Sequence, residues 1–281
     1  MPKLFSVASW NVEHLKKPDA RVDRVVDFLA NTQPDIFALF EVEGHEIFDA
    51  LVARMPGYTF QITEGEQTQE ILVGVRREIT AFITQKTEYR SGTTHMRPGQ
   101  LVTVHVEGKN YSILFLHVAS GADPRGMGLR DDMVERAFKF RKALADQDRR
   151  SGGEGQISYM FVGDLNSMGL EYPFDRNITA HIELQKWDQT ASRTRSNQMR
   201  RLPKTHDTTW SNGSGSSIPD SNLDHVFATR NLNFKSFTRS DGEPAEVKVT
   251  GWVDVQNDPA LKDKWISEFS DHSLLYLEVV S

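Results

Sequence analysis

Hydrophobic positions near the start of the chain switch between two periods. Leu4 to Trp10 is an apolar-rich run that reads as a strand. Val22, Val25, Val26 and Leu29 then recur at i, i+3, i+4 and i+7, the spacing of one buried helix face, with Asp19 placed to cap that helix and Pro34 to end it. Asp35 to Glu41 is a short apolar run closed by an acid, the pattern of a buried strand with a carboxylate at its tip. Phe48, Leu51, Val52 and Met55 repeat the helical spacing before Pro56-Gly57, so a second helix is expected there.

From Tyr58 to Val118 the pattern becomes mostly strand. The runs are Ile71 to Val75, Leu101 to Val106 and Tyr111 to Val118, the last two joined by a turn around Gly108-Lys109-Asn110. A long helix fits Leu129 to Ala145, with Leu129, Met133, Ala137, Phe140 and Leu144 on one side. Arg149 to Gly155 is a polar loop, after which a strand resumes at Tyr159 to Val162. Residues 190 to 222 are rich in Ser, Thr, Asn and Arg and read as one long loop, which inside a compact domain is usually functional or mobile. Strands are expected at Val226 to Ala228, Phe234 to Phe237, Val247 to Val249 and Leu274 to Val280. Early alternation followed by many strands predicts an α/β fold with sheets layered between helices, not a purely parallel sheet.

The chain has 281 residues, and one domain over 1–281 accommodates them. A net charge of -6 argues against coating nucleic acid through bulk electrostatics, yet agrees with carboxylates gathered around a cation. With no cysteine, thiolate metal sites and a cysteine nucleophile are excluded. No apolar run approaches the roughly 20 residues that span a bilayer, and the first residues lack the features of a secretory signal, so a cytoplasmic location without stable membrane insertion is expected. The pattern is silent on oligomeric state.

Polar residues stand at the ends of several strands: Asn11, Glu41, His117, Asp164 with Asn166, Asp224, and Asp271 with His272. Buried polar groups at the edge of apolar runs need partners, and a cation serves several carboxylates and amides at once. In Gly163-Asp164-Leu165-Asn166 the acid and amide point the same way if the chain stays extended; the plainer alternative is an Asx turn closing the strand. Ser270-Asp271-His272 offers an acid for a metal beside an imidazole for phosphate or water, although such a pair in a polar loop is more often solvated surface. There is no Gly-x-Ser-x-Gly elbow, His-Glu-x-x-His helix or Gly-x-x-x-x-Gly-Lys phosphate loop; His45-Glu46 lacks the second histidine. His14, His95, His105, His181, His206 and His225 show no ligand spacing and read as core or surface residues.

In this order, Ser9-Trp10-Asn11-Val12, Asp35 to Glu41, Leu116-His117, Gly163-Asp164-Leu165-Asn166, Leu223-Asp224-His225-Val226-Phe227 and Ser270-Asp271-His272 resemble the segments of the endonuclease/exonuclease/phosphatase family, the family of deoxyribonuclease I. The resemblance implies a four-layer α/β/β/α sandwich, two packed mixed sheets flanked by helices, with the site at one end of the sheets. It implies that Glu41, with Asn11 and Asp271 beside it, holds Mg²⁺ or Mn²⁺. Asp164 and Asn166 would position the attacking water and hold a phosphate oxygen. His272 would act at phosphorus, oriented by Asp224, and His117 would protonate the leaving oxygen. Whether His272 or Asp164 takes the proton from water stays open.

Arg97, just before the strand paired with the one that carries His117, is similar in place to a phosphate-contacting arginine of some family nucleases. Arg193, Arg195, Arg200, Arg201 and Lys204 offer a basic lip over a polyanionic substrate, although such a charge run is more often a solvated face. Trp210 reads as a core residue. Leu274 replaces a proline common in the family, Leu116 to Ala119 lacks the tyrosine of the abasic-site branch, and Ser221 to His225 lacks the inositol polyphosphate 5-phosphatase signature. The expected function is therefore a metal-dependent phosphodiesterase with nucleic acid as the favoured substrate. The alternatives are a phosphomonoesterase, a sphingomyelinase-like phospholipid hydrolase and a catalytically idle scaffold.

Overall fold

The computed structural model describes the chain apart from residues 17–19, 45–46, 66–68, 91–95 and 194–197, so Asp19, the expected helix cap, lies outside the described residues. In chain order the elements are β1 (Lys3–Leu15), α1 (Arg21–Thr32), β2 (Ile36–Val42), α2 (Ile47–Arg54), β3 (Tyr58–Ile62), β4 (Glu70–Arg76), β5 (Thr80–Lys86), β6 (Gly99–Val106), β7 (Lys109–His117) and α3 (Pro124–Arg150). There follow β8 (Ser158–Asp164), α4 (Ala180–Ser192), β9 (Met199–Arg201), β10 (Asp224–Thr229), β11 (Asn233–Phe234), β12 (Phe237–Thr238), β13 (Pro244–Ala245), β14 (Lys248–Thr250), α5 (Pro259–Glu268) and β15 (Leu274–Val280).

One mixed sheet runs β11-β15-β1-β2-β4-β3, with β14 also on β15; the second runs β5-β6-β7-β8-β10-β9. The two-residue period of each strand divides its side chains between two cores. On β2, Ile36, Ala38 and Phe40 enter the core between the sheets, while Phe37 and Leu39 pack on the α1 and α2 side. On β8, Met160 and Val162 face the other sheet, while Tyr159 and Phe161 meet Met133, Ala137 and Phe138 of α3 and Trp187 of α4. Strands apolar on both faces are thus explained by helix, sheet, sheet and helix layers, as expected.

The predicted helix at 129–145 begins five residues earlier because the Asp123 side chain caps it and Pro124 occupies its first turn, where a missing N–H costs nothing. Its buried face includes Arg130, Val134, Phe138 and Arg141, and Leu129, Phe140 and Leu144 are only partly buried. Val52, placed on the buried face of α2, is exposed. Helices α4 and α5 were not expected: α4 buries Glu183 and Thr190 among its apolar residues, and α5 buries only Lys262, so neither carries a plain apolar stripe. The 190–222 segment is not one loop, since it contains the end of α4, β9 and a bridge from Trp210 to Ser221. The Phe234 to Phe237 strand is split between two partners, β15 and β13.

The β6–β7 turn falls at Glu107-Gly108, both with positive φ (48° and 76°), the backbone that matches strand twist in a two-residue hairpin. Among the described residues no helix is long and apolar enough to cross a membrane.

Fully buried Arg130 fastens α3 to α4 and to the loops after β7 and β8. It donates to Glu183 Oε1 at 2.8 Å, Gly169 O at 2.8 Å and Gly121 O at 2.9 Å, and Glu183 in turn accepts from the Gly169 amide at 2.8 Å. Arg130→Ala would strand the Glu183 carboxylate in the interior. Equilibrium urea unfolding of that variant should show a loss of about 3–5 kcal/mol.

Candidate active site

Strand direction brings six distant segments to one rim. β1 and β2 run parallel, with Asn11 opposite Phe40, so the end of β2 delivers Glu41 beside Asn11. β7 and β8 are also parallel, and their last residues, His117 and Asp164, lie opposite each other. β10 is antiparallel to β8 and β15 to β1, so those two strands begin at this same end, and Asp224, Asp271 and His272 arrive there. Asn11, Glu41, Arg97, His117, Asp164, Asn166, Asp271 and His272 line one cavity of about 360 Å³, and Asp224 stands directly behind it.

Hydrogen bonds define the centre. Nδ1 of His272 lies 2.8 Å from Asp224 Oδ2, and its Nε2 lies 3.8 Å from Asp164 Oδ2. The potential ligand atoms of Asp164, Asp224 and His272 all fall within 4.8 Å of one another. Asn11 donates to Glu41 Oε1 at 3.1 Å and to Asp164 Oδ2 at 3.0 Å, while its own oxygen accepts from the Glu13 amide at 3.0 Å. That backbone donor fixes the side-chain orientation, so Asn11 orders the two carboxylates and turns its oxygen away from them. Nε2 of His117 is 3.5 Å from Asp164 Oδ2 and 3.6 Å from Glu41 Oε1, and its Nδ1 has no partner among the described residues.

Asn166 departs from the extended geometry. Its φ is 46°, and its amide donates to Asp164 Oδ1 at 3.0 Å, so the Asx turn exists and still leaves both side chains on the cavity. Of the seven described non-glycine residues with positive φ, four line this cavity: Glu13, His14, Glu41 and Asn166. Strained backbone held by its surroundings collects at functional sites, and here it aims polar side chains inward at strand ends.

Protonation follows burial and crowding. Burial pushes the Asp164 carboxyl up to about 7, against the opposing pull of His272. Burial also works against a charge on His272, but the Asp224 and Asp164 carboxylates outweigh it and raise its pKa to about 10. His117 is driven well below 6.5 by burial and by Arg97 and His272. One imidazole is therefore a cation and the other neutral at pH 7. Burial and then Asp271 raise the pKa of Glu13. Four carboxylates, Glu13, Glu41, Asp164 and Asp271, thus line a cavity whose one lysine or arginine among the described residues is Arg97, and this oxygen-rich excess of negative charge fits a hard divalent cation.

Arg97 donates from Nε to Gln69 O at 3.0 Å, and its pKa is lowered by burial. Trp210 is not a core residue: its Nε1 donates to Asp271 Oδ2 at 2.6 Å at the rim. Glu13 and His14 were missed as site residues, although an acid two positions past Asn11 is a usable signal. Three of the five expected lip residues do not face the catalytic cavity: Arg200 pairs with Glu246, Arg201 pairs with Asp188, and Lys204 is buried, all three lining a different cavity; Arg193 is exposed, and Arg195 lies outside the described residues.

The chain is similar over its length to several solved structures. A truncated Caenorhabditis elegans TDP2 superposes with a TM-score of 0.64 at 15% identity, covering 99% of this chain and 98% of that one. The 3′ phosphatase NExo from Neisseria, bound to a product DNA hairpin, gives 0.61 at 14% identity with 99% and 100% coverage. A mannosyl-6-phosphatase of Bacteroides thetaiotaomicron gives 0.58 at 16% identity, again with 99% and 100% coverage. At these identities the likeness carries the fold alone. No curated protein matches by sequence. The family model, in contrast, matches residues 8–272, from the first strand to the rim histidine. The chain belongs to the Endonuclease/Exonuclease/phosphatase family, whose reaction is metal-dependent hydrolysis of phosphate esters.

Proposed function

We propose that this protein is a Mg²⁺- or Mn²⁺-dependent phosphodiesterase acting on nucleic acid. The observation that carries the reading is the His272–Asp224 contact of 2.8 Å beside a cavity lined by four carboxylates. Neighbours of the same fold that hold single-stranded DNA product or a DNA hairpin support the substrate class. Glu41 and Asp271 would hold the metal, with Asn11 bracing Glu41. Bound there, the metal would supply positive charge to phosphoryl oxygens and an acidified water.

The side chains divide the remaining work by charge. His272 enters as an imidazolium, its tautomer and direction set by Asp224, and neutralises charge that develops on the phosphoryl oxygens. Being protonated already, it is a poor acceptor. Asp164, with a pKa near 7, is matched to take the proton from the attacking water. Arg97 and Asn166 hold phosphate oxygens. His117 enters neutral; an anionic phosphate beside it raises its pKa, so it takes up a proton from solvent as the substrate binds and gives that proton to the leaving oxygen.

A second reading, a phosphomonoesterase for a small substrate, is favoured by the placement of Arg200, Arg201 and Lys204 on a different cavity and by the mannosyl-6-phosphatase of the same fold. Plasmid DNA, single-stranded DNA, RNA, sphingomyelin and sugar phosphates, each assayed with and without chelator, separate the readings. Turnover of a sugar phosphate with no nucleic-acid cleavage would replace the first by the second.

Hydrolysis of bis-p-nitrophenyl phosphate should require Mg²⁺ or Mn²⁺ and stop with chelator. Glu41→Ala and His272→Ala should each lower kcat by about 10²–10⁴-fold; activity retained in both would remove the catalytic assignment. His117→Gln should cost far more with a dinucleotide, whose alkoxide leaves poorly, than with p-nitrophenolate, which needs no proton. Stability of the metal-free protein should fall as pH rises. The folded pKa of His272 lies above the ordinary 6.5, so its contribution is complete below 6.5 and is lost as pH passes through about 10. His272→Gln should lack this component in thermal melts recorded across that window.

A further inference from the structure

Lys204 is the buried cation that the catalytic reading leaves without a task. Lys204 is 4% exposed and lines not the catalytic cavity but a separate one, with Arg201, Arg239 and Asp207. The backbone is held on both sides: Lys204 bridges Val247, and Arg239 Nη1 donates to its carbonyl at 2.7 Å. The ammonium donates to Asn222 Oδ1 and, at 2.7 Å, to the main-chain oxygen of Asp224.

Two other buried cations of this fold behave differently: Arg130 meets Glu183 and Lys262 meets Asp220, each directly on a carboxylate. Lys204 has no carboxylate within ion-pair distance among the described residues; both acceptors are neutral oxygens of one three-residue stretch. Burying an ammonium in this way is costly, and a hydrophobic residue would fill the space more cheaply. That stretch leads into β10, and Asp224 is its last residue. The Asp224 carboxylate must stand against Nδ1 of His272 while Asp164 lies opposite it across the ladder. Two further bonds act on the same stretch, because Thr209 Oγ1 accepts from the amides of Leu223 and Asp224 at 3.1 Å and 3.0 Å. Burial lowers the Lys204 pKa to about 7, and the Asp224 charge is the foremost group opposing that fall.

We infer that Lys204 is a positioning residue: by gripping Asn222 Oδ1 and Asp224 O it sets where the Asp224 carboxylate meets His272. The inference rests on the catalytic reading of His272 and Asp224. It assigns Lys204 to turnover and not to substrate binding, in place of the phosphate-facing lip expected of this basic segment.

A double-mutant cycle on bis-p-nitrophenyl phosphate hydrolysis with the metal-loaded protein tests it. Lys204→Met should lower kcat about tenfold or more with KM within about twofold of the parent. In an Asp224→Asn background the same substitution should change kcat by less than about twofold, since the group it positions is gone. The Nδ1–H proton resonance of His272 should shift in Lys204→Met. Equal losses in both backgrounds, an unshifted resonance, or full kcat in Lys204→Met would overturn the inference while leaving the catalytic reading intact. Full kcat in Asp224→Asn alone would overturn both. Should Lys204→Met fail to fold, Lys204→Gln, which keeps a donor but not the charge or the reach, carries the same cycle.

Discussion

Two buried carboxylates face each other across the β8–β10 ladder, and one imidazole lies beside both. Asp164 and Asp224 are each 2% exposed, a placement that would be strongly unfavourable for two bare charges. The His272 cation resolves it, and the arrangement of the rim follows from that need. Asp224 takes the short contact and keeps the ring in one tautomer, while Asp164 is left with a weakened acid that titrates near neutrality. Removing the histidine charge would leave both carboxylates unbalanced in the interior.

The sheets place this cluster without help from long loops. Parallel pairing of β1 with β2 and of β7 with β8 sends two sets of strand ends to the same rim, and antiparallel β10 and β15 start where those strands stop. Beneath the rim, the core between the sheets holds the register. A slip by one residue on β8 would send Met160 and Val162 to the helix side and turn Asp164 away from the cavity. Left-handed backbone at Glu13, His14, Glu41 and Asn166 then makes the final aim, at a cost the packed sheets sustain.

Charge away from the rim is spent on structure. The arginines of residues 200–201 and Arg239 are tied to Glu246, Asp188 and Asp207, and Arg130 and Lys262 join helices and loops. A run of cations in sequence therefore says little about where positive potential stands, because Arg200, Arg201 and Arg239 each take a carboxylate that folding supplies. The net charge of -6 is concentrated in part where four carboxylates line one cavity, which agrees with a metal and disfavours a broad polyanion-binding face.

The strand and helix periods of the first half, the layered fold class and the set of polar strand ends were legible along the chain, because a two-residue period with apolar tips and a terminal acid is a local pattern. Asn11, Glu41, His117, Asp164, Asp224, Asp271 and His272 were legible as candidates on that ground. Helices α4 and α5 were not legible, since they bury Glu183, Thr190 and Lys262 where an apolar stripe would be sought. Nor were the roles of Glu13, Trp210 and Lys204, or the opposite charge states of His117 and His272. Those depend on partners that are distant in sequence: Asp271 for Glu13 and Trp210, Asp224 for Lys204, and two facing carboxylates for His272. A proton's affinity and a hydrogen bond's direction are set by distances that exist only after the sheets have packed.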